Sequence, residues 1–484
     1  MRISVVGLGY VGLVTSACLA EWGHEVTGIE VSPERLRALN RGTLPFFEPG
    51  LDEMVARHRQ AGRLEFTDSA SGPVGSSDVV MVAVGTHDGN GGWQTETMLA
   101  CLSQVVPFMH DDAVIVLRST LPPDFIRQLP TLLRSLRDQA GRAPISALIN
   151  PEFTREGAAV RDFLEAERVV LGVVDDPDRR GVGRLTTIYE VADAPILTMD
   201  AIDAAFAKLG SNLFLATKIS FANELAALCD AYGARVHNVV EAMSYDGRIG
   251  GRFLRAGVGF GGSCLPHQVT MTVKSAALAG IPAPLLAAVD AINDRQRSDF
   301  VRLTRELLGG SVEGRRIALL GLTFKPDTDD LRDAPALDIA RLLIAEGAEV
   351  VAYDPMEGAR ERSAEIVPGL VTVESAELAV AGSDAIGLVT EWAEFRSLDW
   401  PAIAETTRGH VVIDGRGVLD PAELNAVGFD YAAFGRGVQL AQDADHLEPA
   451  VVATATKDGS RILAGSFAQP ESAGGMSAYR RGVE

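Results

Sequence analysis

Cysteine is scarce in this sequence. Only Cys18, Cys101, Cys229 and Cys264 occur in 484 residues, and no two form a CxxC pair. That argues against a disulfide framework and a zinc ribbon and predicts a reducing, cytoplasmic setting, and no metal site is expected. Positive charge is also in deficit: 44 Lys and Arg against 65 Asp and Glu give a formal net charge of −21. Such an overall field disfavours nucleic acid and anionic membrane as partners, although a local basic pocket for a small anion is compatible with it. No apolar run approaches the ~18 residues of a membrane span. The N-terminus, MRISVVGLGYVG, lacks the apolar core and cleavage site of a signal peptide. Lysine is nearly absent, being confined to Lys208, Lys218, Lys274, Lys325 and Lys457, with arginine supplying the remaining basic residues. A composition bias is the plain explanation, but a lysine in an apolar context is correspondingly informative.

What is present is a large apolar fraction, 47% of the residues, which permits sizeable cores and excludes global disorder. At roughly 150 residues per domain the length corresponds to about three domains. The first unit alternates strands and helices: Arg2–Val6, a helix from Tyr10 to Trp22, then Glu25–Ile29, Val79–Val84 and Ala113–Leu117. Continuous apolar strands separated by helices predict a parallel sheet covered on both faces. A helix is expected from about Asp200, its N-cap, to Tyr232, closed by Gly233. Phe206, Leu209, Leu213, Phe214, Ile219, Leu225 and Leu228 make it apolar nearly all round, which predicts burial between domains or against another subunit. A second α/β unit follows, with strands Ile317–Leu320, Glu349–Tyr353, Ala385–Val389 and Val411–Asp414, but without a GxGxxG. The expected fold is α/β, with two Rossmann-like parallel-sheet domains joined by a long central helix. The expected boundaries are 1–198, 199–310 and 311–437, with a disordered tail over 438–484.

Gly7-Leu-Gly9-Tyr10-Val11-Gly12 follows a strand and opens a helix. The glycines permit a tight turn, close approach of backbone to a pyrophosphate, and packing of helix on strand. The helix N-terminus favours the anion. Glu30, at the end of the second strand, suits the adenosine ribose and repels a 2′-phosphate, predicting NAD over NADP. Other motifs are ambiguous when taken alone. Asn150-Pro-Glu-Phe-Thr-Arg-Glu156 reads as a turn with solvated charges, and Arg118-Ser-Thr-Leu-Pro-Pro123 as a strand end running into a proline turn. Lys208, one helical turn from Asn212, would ordinarily snorkel. Gly257-Val-Gly-Phe-Gly-Gly-Ser-Cys264 is more telling. Four glycines bring backbone close to a ligand and present a thiol at a turn, which suggests oxidation through a covalent sulfur adduct.

Together these segments resemble the UDP-glucose/GDP-mannose dehydrogenase family over about residues 1–437. The resemblance rests on GLGYVGL, PFFEPGL (Pro45–Leu51), RSTLPP, NPEFTREG, Lys208–Glu224, Arg248–Cys264, FKPDTDDLRDAP (Phe324–Pro335), YDP (Tyr353–Pro355) and DGR (Asp414–Arg416). It implies an NAD-binding domain, a central dimerisation region giving a homodimer or higher homo-oligomer, and a C-terminal domain for the nucleotide of a sugar donor. The implied reaction takes the C6 alcohol of a nucleotide sugar to a carboxylate with two NAD+. UDP-glucose is the leading substrate and UDP-glucuronate the product, by way of a cysteine thiohemiacetal and thioester. GDP-mannose and UDP-N-acetylmannosamine are alternatives.

Carried over, Cys264 is the nucleophile, Lys208 and Asn212 stabilise the oxyanion, and Glu152 is the acid/base group. Thr120 positions water or the nicotinamide end. Gly7, Gly9, Tyr10, Val11, Gly12, Glu30, Arg35, Thr86, Thr120, Glu156, His267 and Arg332 are implied at the cofactor. Phe153, Arg248 (reaching across the dimer), Phe253, Leu254, Arg255, Gly261, Phe324, Lys325 and Arg416 join Glu152, Lys208 and Asn212 at the sugar nucleotide. The family's pattern continues Phe-Pro-Lys-Asp after the cysteine, whereas this chain reads Leu265-Pro266-His267-Gln268. Gln268 stands where a catalytic aspartate is usual, and it cannot accept a proton at neutral pH. Thr154 replaces leucine, Val84–His87 ends in His in place of Pro, and Gly417 replaces asparagine. These departures leave a further alternative, a homologue that binds both ligands without turnover.

Overall fold

The computed structural model describes residues 1–86 and 92–441. Its N-terminal half is built on an eight-stranded sheet: β1 (Arg2–Val6), β2 (Glu25–Ile29), β3 (Leu64–Thr67), β4 (Val79–Val82), β5 (Val114–Leu117), β6 (Ser146–Ile149), β7 (Val169–Asp175) and β8 (Ile196–Asp200), in the order β3-β2-β1-β4-β5-β6-β7-β8. Strands β4, β5 and β6 are buried along their whole length because helices cover both faces. Alternate side chains feed two cores. Val79 and Met81 pack with Leu13, Ala17 and Leu148, while Val80 and Val82 pack with Ile115, Leu117 and Leu129.

β1 pairs in parallel with both β2 and β4, so the strand order reverses there and a crevice opens beyond the carboxyl ends of the strands. The expected parallel sheet has one antiparallel pairing: β7 runs against β6, and β8, parallel to β7, is reversed with it. The intervening chain holds only a six-residue helix, Ala159–Leu164. At about 1.5 Å per residue this helix cannot carry the chain back along the sheet, so the next strand must start from the same end.

The central helix spans Ala201–Tyr232. The Asp200 carboxylate accepts a hydrogen bond from the Ile202 amide at 2.8 Å, and Gly233 closes the helix at φ +70°. Ala204, Lys208, Leu209, Ala216, Ala222 and Ala226 are buried, and the helix packs on β7 and on the helices Leu265–Leu278 and Pro284–Leu307. Burial on every side is not observed within one chain. Phe206, Phe214, Phe221 and Leu228 are 53%, 65%, 46% and 54% exposed, and their spacing places them on one bare face.

The second sheet comprises β9 (Arg316–Leu320), β10 (Glu349–Tyr353), β11 (Val371–Thr372), β12 (Ala385–Leu388), β13 (Val411–Asp414), β14 (Asp430–Ala433) and β15 (Gly437–Gln439), in the order β11-β10-β9-β12-β13-β14-β15. It repeats the doubly wound plan. The described chain extends past the expected boundary at 437, because a tight turn brings β15 back antiparallel to β14, with Val438 opposite Ala432. A three-residue strand leaves almost no periodicity to read. The rest of the expected tail, 442–484, and His87 lie outside the described residues. Among the described residues no helix is long and apolar enough to cross a membrane.

Candidate active site

The glycine turn between β1 and the helix Tyr10–Glu21 has the shape of a phosphate cradle. Gly7 sits at φ +90°. A Cβ on Gly12 would lie 1.8 Å from the Gly7 carbonyl oxygen, whereas one on Gly9 would meet nothing within 4 Å. Gly12 therefore serves packing, and Gly9 leaves the approach to the helix N-terminus open. No side chain caps that terminus, so its amides remain available to an anion. Val11 lies half-buried in the first turn.

Glu30 is buried just beyond β2 and accepts hydrogen bonds from the amides of Leu8 (3.2 Å) and Ser32 (2.8 Å) and from Arg35 (3.1 Å). Arg35 is thus held by Glu30 while lining a cleft of about 700 Å³ that runs from Gly9 and Tyr10 to Glu156, Asp330 and Arg332. The Thr86 hydroxyl donates to the Thr120 carbonyl at 2.7 Å and ties two strand ends together. These residues fit a dinucleotide. Tyr10 has an additional task. Its hydroxyl donates to Glu48, whose carboxylate also accepts from the amides of Gly157 and Ala159, each at 2.7 Å. The cofactor helix is thereby fastened to the segment carrying Glu152 and Glu156. Glu48, inside PFFEPGL, was not singled out from sequence. A lone carboxylate between Phe47 and Pro49 was the available signal.

Glu152 and Lys208 meet as a buried ion pair, Nζ to Oε1 at 2.9 Å. The second oxygen, Oε2, accepts from the Thr154 amide (2.8 Å) and hydroxyl (2.6 Å). Burial disfavours the charge, but Lys208 and the Thr154 donors outweigh it and hold the Glu152 carboxyl below the usual carboxylate range. Asn212 donates to the Gln268 side-chain oxygen at 3.0 Å. The two amides form one unit beside Lys208, and Gln268 makes no ion pair there. Phe153 packs under this corner, with the Arg168 guanidinium 3.9 Å from its ring centre. Glu152, Phe153, Lys208, Asn212 and Phe253 line a cleft of about 740 Å³.

Cys264 is exposed and sits at the start of the helix Leu265–Leu278. Loss of hydration around the sulfur pushes its thiol up. Glu152 and Glu156 add to that effect, and Lys208 opposes it, so the sulfur lies within the field of the Glu152–Lys208 pair. The Ser263 hydroxyl lies 3.7 Å from the sulfur and donates to the Glu156 carboxyl at 3.4 Å.

The glycines before Cys264 let the loop press against the second sheet. A Cβ on Gly257 would be 2.5 Å from the Gly415 carbonyl oxygen, and one on Gly261 would be 2.3 Å from that of Asp333. Arg416 donates to the carbonyls of Val389 (2.6 Å), Gly259 (3.0 Å) and Phe324 (3.2 Å) and pairs with Glu391 at 3.1 Å. In this geometry it staples the cysteine loop to the C-terminal sheet. Lys325 donates to the Glu156 carbonyl. Arg332 pairs with Asp330 (2.6 Å) and Glu156 (3.1 Å), and His267 faces Asp333 at 3.4 Å. Burial and the neighbouring Asp330 raise Glu156 to about 8, against the pull of Arg332 and Lys325. Asp330 was missed from sequence because it lies in an acidic run that reads as a solvated loop.

Not every expected residue converges here. Phe253 reaches the cleft from a left-handed backbone, φ +66°. Leu254 is buried in the fold, Arg255 is exposed away from the lining, and Arg248 is exposed and turned back onto Asp246 at 2.6 Å. Arg252 occupies the cleft rim in their place.

Two doubly wound units, a phosphate cradle in the first, and a thiol beside a buried lysine–glutamate pair between them define a dinucleotide-dependent dehydrogenase. Models of the UDP-glucose/GDP-mannose dehydrogenase family match residues 1–193 (NAD binding domain), 203–295 (central domain) and 318–421 (UDP binding domain). A UDP-glucose 6-dehydrogenase of Rhizobium meliloti is 38% identical over 443 residues, covering 90% of this chain and all of that one. Among solved structures, a UDP-glucose dehydrogenase from Pyrobaculum islandicum superposes with a TM-score of 0.79 at 36% identity, covering 86% of this chain and 94% of the other. A UDP-D-ManNAc dehydrogenase from Pyrococcus horikoshii gives 0.79 at 27% identity, covering 90% and 99%. The chain belongs to the UDP-glucose/GDP-mannose dehydrogenase family, as an NAD-dependent oxidoreductase acting on a nucleotide sugar.

Proposed function

We propose that the protein oxidises the C6 alcohol of UDP-glucose to the carboxylate of UDP-glucuronate, consuming two NAD+ for each sugar. The observation that carries this reading is the buried Lys208–Glu152 pair, at 2.9 Å, within the field of Cys264. Bound NAD+ supplies the hydride acceptor for each of the two oxidations.

This chain's residues then handle charge, covalency and protons. Lys208 and Asn212 present a cation and an N–H donor to the oxygen that develops negative charge. The Cys264 thiol adds across the C6 aldehyde, sulfur bonding to carbon as the C=O π bond opens and the thiol proton passing to the oxygen, and the resulting thiohemiacetal becomes a thioester at the second oxidation. Glu152, held ionised, takes a proton from the water that attacks the thioester. Gln268 keeps Asn212 in place and leaves proton transfer to Glu152. Gly7, Gly9 and Gly12 with Glu30 would hold the dinucleotide, and Lys325 and Phe324 would approach the sugar nucleotide from the second sheet.

The bare face of Phe206, Phe214, Phe221 and Leu228 supports self-association as a homodimer, since apolar rows of this kind are covered in stable assemblies. Arg248, turned outward in one chain, would then serve the partner's cleft. The scattered thiols support a cytoplasmic setting.

The reading is tested by comparing kcat/KM for UDP-glucose, GDP-mannose and UDP-N-acetylmannosamine with NAD+. A preference for UDP-glucose is expected, because the UDP-glucose dehydrogenase structure shares more identity with this chain than the UDP-D-ManNAc dehydrogenase does. Turnover only with another sugar would overturn the substrate. Tight binding of both ligands with no turnover of any sugar would make the protein a binding homologue.

A further inference from the structure

The Glu152 carboxylate has about four acceptor positions, two on each oxygen. Three are filled within the chain. Oε2 takes the Thr154 amide at 2.8 Å and the Thr154 hydroxyl at 2.6 Å, and Oε1 takes Lys208 at 2.9 Å. Among the described residues the position left without a side-chain or backbone donor lies on Oε1, the oxygen beside the lysine. Without the hydroxyl, Oε2 would have a vacancy of its own and the carboxylate two places to receive a proton.

We propose that Thr154 is a positioning residue: its hydroxyl saturates Oε2 and reserves Oε1 for proton transfer beside Lys208. This rests on the reading of Glu152 as the proton-transfer group. The charged neighbours are accounted for. Lys208 faces Glu152 from the central helix, and Cys264 faces it from the start of the helix Leu265–Leu278. Arg168 lies over Phe153 at the start of β7, Arg155 is paired with Asp162, and Glu156 is paired with Arg332. Among the described residues the Thr154 hydroxyl is thus the side chain that engages Oε2. It favours the ionised form, as donors to a carboxylate do.

The test is a carbon NMR titration of protein labelled at its glutamate carboxyls, with the Glu152 signal identified by its loss in Glu152→Gln. Wild-type Glu152 is expected to titrate below the usual carboxylate range. In Thr154→Val the midpoint moves up by about one pH unit, and Thr154→Ser restores it. With UDP-glucose and NAD+ at neutral pH, Thr154→Val lowers kcat roughly tenfold with KM unchanged, and serine rescues it. Thr154→Ala carries the same test if valine impairs folding. Superimposable titrations of wild type and Thr154→Val, or failure of serine to restore the midpoint, would overturn the proposal. Absence of turnover in wild type would count against the proposed substrate, while the titration still decides the role of Thr154.

Discussion

Lys208 and Glu152 join the central helix to the loop leaving β6 through one buried contact of 2.9 Å. The two side chains are only 5% and 11% exposed, so each charge depends largely on the other. Lys208→Ala is expected to lower stability by about 3 kcal/mol, because it leaves Glu152 buried and unpaired. The Glu152 carboxyl should move upward in the same variant, since the cation that offsets its burial is gone. Urea unfolding at neutral pH checks the first effect. A loss near zero would mean the pair is replaced by water without cost.

In the proposed reaction Cys264 separates the two oxidations. Cys264→Ala should retain binding of NAD+ and UDP-glucose but stop short of acid, because no sulfur is present to form the thioester. Trapping the aldehyde with a hydrazine reagent measures the outcome. UDP-glucuronate formed at the wild-type rate would remove the thiol from the mechanism.

Gly12 has no room for a methyl group: its Cβ would sit 1.8 Å from the Gly7 carbonyl oxygen. Gly12→Ala should therefore displace the helix Tyr10–Glu21 and weaken NAD+ binding by at least about tenfold, or prevent folding. Calorimetric titration with NAD+ reads the affinity. Unchanged binding in a folded variant would contradict the cradle.

Glu156 is raised to about 8 by burial and by Asp330. The folded chain therefore holds this proton at pH values where the unfolded chain has released it. Stability from this group is full below the unfolded carboxyl pKa and is lost as pH rises from there to about 8. Glu156→Gln, which cannot titrate, should flatten the fall in unfolding free energy between about pH 5 and 8. Chemical unfolding of both proteins across that range decides it, and parallel pH profiles would count against a protonated Glu156.

The doubly wound cores were legible because buried parallel strands are apolar throughout. β1 and β2 begin and end where their sequence pattern predicts, and Asp200 and Gly233 close the central helix as capping residues should. The reversal of β7 was not legible, since strand direction depends on how far a connection travels and a six-residue helix leaves little pattern. At the site, the motif residues of the glycine turn and the NPEFTRE loop could be named from sequence, but their hydrogen bonds could not. Thr154 read as a departure, although its hydroxyl is bonded to Glu152. Arg416 read as a ligand arm, although its donors go to backbone of three different segments. The Arg416 contacts join positions far apart in the chain and leave no local period.

Gln268 accepts from Asn212 at 3.0 Å and cannot receive a proton, so in the proposed reaction Glu152 would carry the proton transfer alone. Gln268→Asp should then change the rate of approach to completion without changing what is made. The most direct test is the amount of NADH formed per UDP-glucose at completion. Two NADH per sugar, with UDP-glucuronate as product in both wild type and Gln268→Asp, is the result predicted. One NADH with an aldehyde product, or none despite binding of both ligands, would contradict it.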